Sequence, residues 1–132
     1  MATDFRTCRV RARHTVAMGI TWAHVVRMAT ELPEVAESTS YRTPALKAAG
    51  KSFARLRTEA EGGLALRCEM VEKEALLASG DPAFYTIPHY DGYPYILIDL
   101  HRVDPGQLRE LLDAAWWLVA PARLRRARER DL

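Results

Sequence analysis

Lys47, Lys51, Phe53, Arg55, Arg57 and Arg67 stand at odd positions of a stretch whose even positions hold Leu46, Ala54, Leu56, Leu64, Leu66 and Cys68. In extended chain, successive side chains leave opposite faces, so the even set is expected inside and the odd set outside. Five cations and one aromatic ring would then share one side of a sheet. Cations in that arrangement draw nucleic-acid phosphates by releasing counterions, and Phe53 would stack on an unpaired base or wedge at a base step. A plainer reading of the same pattern is a sheet face kept soluble and protected from edge pairing by its Lys and Arg, with Phe53 packing across strands.

Two other places could do chemistry. In Pro88-His89-Tyr90-Asp91-Gly92-Tyr93-Pro94-Tyr95, His89 could act as a base oriented by Asp91 or a tyrosine. Adjacent residues seldom present side chains to one point, however, and no nucleophile or oxyanion motif accompanies them. The plainer reading is a turn with aromatic packing, and small-molecule binding around His89 and Tyr90 would require a pocket with convergent polar groups. Trp117 lies opposite Leu108 on a helical wheel, near Glu110 and Asp113, so it is expected outside the core that takes Trp116. It reads either as a partner surface, in a homodimer or against another protein, or as a ring covered by residues 121–132.

Other chemistries find no motif. His14, His24, His89 and His101 have no metal-ligand spacing with one another or with Cys8 and Cys68, so neither a metal nor a cofactor is expected. Cys68 reads as a small core residue, and Gly62-Gly63 lacks the Lys-Ser/Thr ending of a phosphate loop. A non-enzymatic protein is the expectation.

The elements that would position these residues are legible in outline. Thr21 can cap a helix in which Trp22, Val25, Val26, Ala29 and Leu32 recur at helical spacing until Pro33. From Val35 to Met70 the period falls to two, broken by Arg42-Thr43-Pro44, Ala49-Gly50 and Glu61-Gly62-Gly63, which predicts a meander of short antiparallel strands. Val71 to Ser79 has helical composition and stops at Gly80-Asp81-Pro82. Phe84–Ile87 and Tyr95–Leu100 read as strands joined through an Asp-Gly turn, and Asp104-Pro105 opens a last helix with Leu108, Leu111, Leu112, Ala115, Trp116 and Val119 as its stripe. The order α-β(3-4)-α-β(2)-α predicts an α+β fold in which helices cover one face of an antiparallel sheet of five to six strands.

At 132 residues and 48% hydrophobic composition, the chain can fill one core but not comfortably two. Its net charge of +2 is unevenly spread: residues 1–14 and 121–132 each carry +3, leaving residues 15–120 at −4. The arginine-rich ends are expected to be solvated and loosely ordered, and the net negative middle weighs against nucleic-acid binding by the sheet. A basic extension over 1–19, one domain over 20–124 and an arginine-rich tail over 125–132 are expected. With no apolar run near bilayer length and no signal-peptide h-region, so is a cytoplasmic location without a membrane partner.

Glu31-Leu32-Pro33-Glu34-Val35, Pro44-Ala45-Leu46, Gly50-Lys51-Ser52-Phe53-Ala54, Pro88-His89-Tyr90 and the closing Trp116 to Leu124 segment together resemble the MmcQ/YjbR family of small bacterial proteins. The resemblance covers roughly Ile20 to Leu124. It implies an α/β domain similar to type III secretion chaperones, commonly labelled DNA-binding from its shape, with no catalytic motif to carry over. Fold alone does not establish function. DNA binding through the basic sheet face, helped by the arginine-rich tails, is the leading expectation. A protein-interaction or homodimerising module using Trp117 is the alternative, and a small-molecule site at His89 and Tyr90 is the third.

Overall fold

The computed structural model describes residues 19–40, 42–58 and 62–132. Helix α1 (Trp22–Ala29) starts where Thr21 and His24 cap one another: the Thr21 hydroxyl accepts the His24 backbone N–H at 3.2 Å, and the His24 ring accepts the Thr21 N–H at 3.1 Å. Strands β1 (Val35–Ser40), β2 (Thr43–Ala48), β3 (Lys51–Leu56) and β4 (Leu64–Arg67) follow, then α2 (Met70–Ala78), β5 (Phe84–Tyr85), β6 (Tyr95–Ile98), α3 (Pro105–Val119) and α4 (Ala122–Asp131). The strands form one six-stranded sheet in the order β1-β2-β3-β4-β6-β5, every neighbouring pair antiparallel. This is the expected α+β architecture.

One face of the sheet is sealed. Leu46, Phe53, Leu64, Leu66, Ile96 and Ile98 are fully buried there, in one cluster with Val25 and Ala29 of α1 and Leu108, Leu112, Ala115 and Trp116 of α3. Helix α3 opens on Asp104, whose carboxylate accepts the Gln107 N–H at 2.9 Å, with Pro105 at the first position where its missing N–H costs nothing. Trp116, also fully buried, keeps its indole satisfied by donating to the Pro33 carbonyl at 2.9 Å.

Phe53 departs from strict alternation, and the pairing explains why. Ala45 faces Arg55 and Leu46 faces Ala54, but Lys47 faces Ser52, so β3 carries one residue more than β2 at this point. Phe53 is that extra residue, a β-bulge, and it turns inward beside Ala54. The parity of everything before it reverses. Ser52 faces outward with Lys47, while Lys51 pairs with the buried Ala48 on the helix side. The hairpin closes through Ala49 and Gly50, with φ of 49° and 87°, the left-handed pair that a two-residue loop requires to match strand twist.

Three further differences are local. Thr43 and Pro44 belong to β2 rather than to the preceding turn. β5 is only two residues long, and Pro88–Tyr90 forms a short 3₁₀ turn instead of a tight Asp-Gly hairpin. Residues 122–131, expected to be loosely ordered, form α4. Pro121 ends α3 by forcing Ala120 into extended backbone, and the Ala- and Arg-rich sequence that follows has strong helical preference. The new helix is held by the buried Leu124, by Arg123 donating to both Glu34 carboxylate oxygens at 2.8 and 3.0 Å, and by an Arg128–Asp113 ion pair at 2.5 Å. No described helix is long and apolar enough to cross a membrane. The expected basic extension falls almost wholly outside the described residues, as does Cys8.

Candidate functional site

Among the described residues, the other sheet face is crossed by one connection. Tyr90 follows β5 at the far edge of the sheet, yet its hydroxyl accepts a hydrogen bond at 3.0 Å from Arg55 on β3, with β6 and β4 lying between. The connection from Thr86 to Pro94 therefore crosses this face before returning to β6. Leu97 and Ala65, which pair with one another, are fully or almost fully buried although Leu97 is outward. Where the connection stops, a cavity of about 680 Å³ opens, lined by Ser40, Ser52, Arg55 and Ala65 from the sheet floor, Tyr95 from β6, and His89, Tyr90 and Tyr93 from the crossing segment. That volume is in the range of small-molecule sites.

Arg55 is fixed in the wall of this cavity. One guanidinium nitrogen donates to the Thr43 hydroxyl at 3.1 Å and another to the Tyr90 hydroxyl at 3.0 Å. The aromatic lip is fixed from behind. Lys73 of α2 is 3% exposed, and its ammonium donates to the carbonyls of Tyr90 at 2.7 Å and Tyr93 at 2.8 Å. Bonds to a charged donor are the stronger kind, so two of them on one short segment restrain its path. The Tyr90 ring meets His89 edge to face at 5.1 Å and Tyr95 at a tilt at 6.3 Å, while Tyr93 is 60% exposed.

The sequence-selected cations separate into different environments. Lys47, Arg55 and Arg67 keep the outward side, Lys47 beside Ala36 and Ser52, and Arg67 beside Tyr95 with its guanidinium donating to the Cys68 carbonyl at 3.0 Å. Arg57 is buried at 8% exposure and donates to the Gly62 carbonyl at 3.1 Å, beside a separate hollow near Tyr85 and Asp99. Lys51 is exposed on the helix side, where it and Arg125 border a smaller hollow of about 350 Å³ at the α3–α4 junction. Phe53 is in the core, so it offers no face to a base. Tyr90 does meet Arg55 and His89 lines the same cavity, joining two sets of residues that the sequence keeps apart.

Among the strand residues that face outward, namely Ala36, Ser38 and Ser40 on β1, Thr43, Ala45 and Lys47 on β2, Ser52 and Arg55 on β3, Ala65 and Arg67 on β4, Tyr95 and Leu97 on β6 and Tyr85 on β5, there is no carboxylate. Glu37 turns to the helix side and accepts the Trp22 indole N–H at 2.7 Å. On the described strands the outward side is therefore free of negative charge, while the crossing segment adds the exposed Asp91.

Trp117 lies half-buried, packed edge to face on Trp116 at 5.1 Å, and the Arg128 guanidinium of α4 sits 5.1 Å from the centre of each ring. Cys68 is buried, and burial pushes its thiol up to about 11, against any role as a ready nucleophile. No group of three or more His, Cys, Asp or Glu side chains among the described residues is arranged to hold a metal ion.

Lys73, Ser40 and Ser52 are not functional candidates from sequence, and Tyr93 is one only as part of the Pro88–Tyr95 segment. Lys73 left one signal, a cation three residues before Leu76 on the face that α2 buries. The serines left none, because their meeting with the crossing segment depends on tertiary structure.

A family model described as YjbR matches residues 30–118. Uncharacterised proteins of Mycobacterium tuberculosis and Mycobacterium bovis are each 29% identical over 118 residues, covering 79% of this chain and 92% of the relative. A crystal structure of a Deinococcus radiodurans protein of the domain family DUF419 superposes with a TM-score of 0.65 at 20% identity, covering 75% of this chain and 78% of that one. The similarity to that structure is one of fold.

Proposed function

The chain belongs to the YjbR family, and from that premise we propose that it is a non-enzymatic nucleic-acid-binding protein whose contact surface is the outer sheet face around Arg55. The observation that carries this reading is the outward side of the strands, where Lys47, Arg55 and Arg67 stand among hydroxyl and tyrosine side chains without a carboxylate. A phosphate backbone approaching the strands meets cations and no strand carboxylate, in spite of the charge of the chain as a whole. Backbone contacts of this kind position a strand but carry little sequence information, so weak sequence preference is expected. Catalysis has less support, since His89 is exposed and its ring contact is edge-on to Tyr90.

The alternative, a protein-interaction or homodimerising module built on Trp117, has less support, since Arg128 of α4 covers part of that half-buried ring. The arginines of α4 are the competing source of nucleic-acid affinity. Arg123 and Arg128 are paired with carboxylates, whereas Arg126 and Arg130 are exposed.

The test is an anisotropy titration of labelled DNA across a salt series with the full chain and two charge variants. Lys47→Gln, Arg55→Gln and Arg67→Gln together should abolish most of the salt-sensitive binding, about tenfold or more in affinity, while Arg126→Gln with Arg130→Gln should leave most of it. Loss only in the α4 variant would refute the sheet-face reading. Lys51→Gln, on the other side of the sheet, should change nothing beyond about twofold.

A further inference from the structure

We propose that the outer-face cavity accepts a single unpaired nucleotide, its phosphate on Arg55 and its base against the tyrosines, so that the protein prefers single strands and free nucleotides to duplex. This inference rests on the nucleic-acid reading of the face and narrows it to one partner.

Three observations carry it. The first is recess: Arg55 projects from the sheet floor and is bonded to the Tyr90 hydroxyl of the segment that crosses above, so this cation lies beside a wall rather than on a flat surface. A duplex holds its phosphates on a stiff cylinder and cannot lower one behind that wall without distortion. An unpaired nucleotide can turn into it.

The second is composition. The cavity pairs a guanidinium with the rings of Tyr90, Tyr93 and Tyr95 and with the hydroxyl-bearing Ser40 and Ser52. A guanidinium suits a phosphate, an aromatic ring suits the face of a base, and hydroxyls suit a base edge or sugar. Tyr93 is the ring most open to solvent, at 60% exposure.

The third is preorganisation. Lys73 grips the carbonyls of both Tyr90 and Tyr93, and the Thr43 hydroxyl steadies Arg55. Little ordering is then left for the ligand to impose.

The experiment uses the full chain with a labelled oligothymidylate, the same strand annealed to its complement, and thymidine monophosphate as competitor. The strand should bind about tenfold tighter than the duplex at equal salt, and the mononucleotide should displace it. Tyr93→Ala and Arg55→Gln should each weaken strand binding about tenfold, whereas Tyr93→Phe, which keeps the ring, should stay within about twofold. Equal binding of strand and duplex, with Arg55→Gln weakening both, would overturn this inference while leaving the outer-face reading intact. Absence of binding to either would overturn both. A strand preference unchanged in Tyr93→Ala and Arg55→Gln would move the nucleotide away from this cavity and overturn the inference as well.

Discussion

The two faces of the sheet are covered in different ways. On the helix side, α1 and α3 press against six large, fully buried strand side chains, and the single polar atom of Trp116 is satisfied by a backbone carbonyl. On the outer side, among the described residues, the Thr86–Pro94 connection is what crosses, tied down by one lysine and one arginine, and most of the remaining outward residues are small, hydroxylic or basic. A face closed by helices is committed to stability. A face closed by a short connection held at polar points keeps room for a ligand, at the cost of placing its fixings in a few side chains.

That contrast can be broken first at Phe53. If it belongs to the helix side, as the bulge dictates, Phe53→Ala removes a buried ring and should cost about 3–5 kcal/mol in urea unfolding. A loss below about 1 kcal/mol, accompanied by weakened DNA binding, would return the ring to the outer face. The next sharpest intervention is Lys73→Met, which keeps most of the stem but removes the donor from two carbonyls; about 2–3 kcal/mol of destabilisation is expected. Its second readout is hydrogen exchange. Residues 88–93 should lose protection while the central strands, shielded by α1 and α3, change only through global stability.

The smallest effect is expected at the far end of the molecule. The Arg123 guanidinium bonded to Glu34 holds that carboxyl below its ordinary value of 4.5, so the fold favours the charged form. The pair therefore contributes above pH 4.5, and its contribution disappears as pH falls through the lowered folded value. Arg123→Ala should lower the melting temperature slightly near neutral pH, and the difference from the parent protein should vanish in acid. A difference that grows in acid would contradict this assignment of the pair.

Much of the helix-covered side was legible because burial leaves periodic apolar residues. Leu108, Leu111, Leu112, Ala115 and Trp116 mark α3, and the Asp104-Pro105 start and the Ala49-Gly50 turn fall where expected. The outer side was legible only in part. Alternation sorts strand residues correctly until a residue is inserted, and a bulge leaves no composition of its own, so strict alternation puts Phe53 and Lys51 on the wrong face. Residues 88–95 stand out for their aromatics, but nothing local shows that the segment crosses β6 and β4 to reach Arg55. The arginine-rich end advertises only its charge, whereas Leu124, Pro121 and the acidic partners Glu34 and Asp113 make it a docked helix.

The most direct measurement is a two-dimensional amide NMR titration of the full chain with oligothymidylate at moderate salt. The largest shifts are expected at Ser40, Ser52, Arg55, Tyr93 and Tyr95, with the buried strand positions and α4 nearly still. Shifts concentrated at Arg126 and Arg130, with the cavity residues unmoved, would contradict an outer-face site and assign the affinity to the arginine helix.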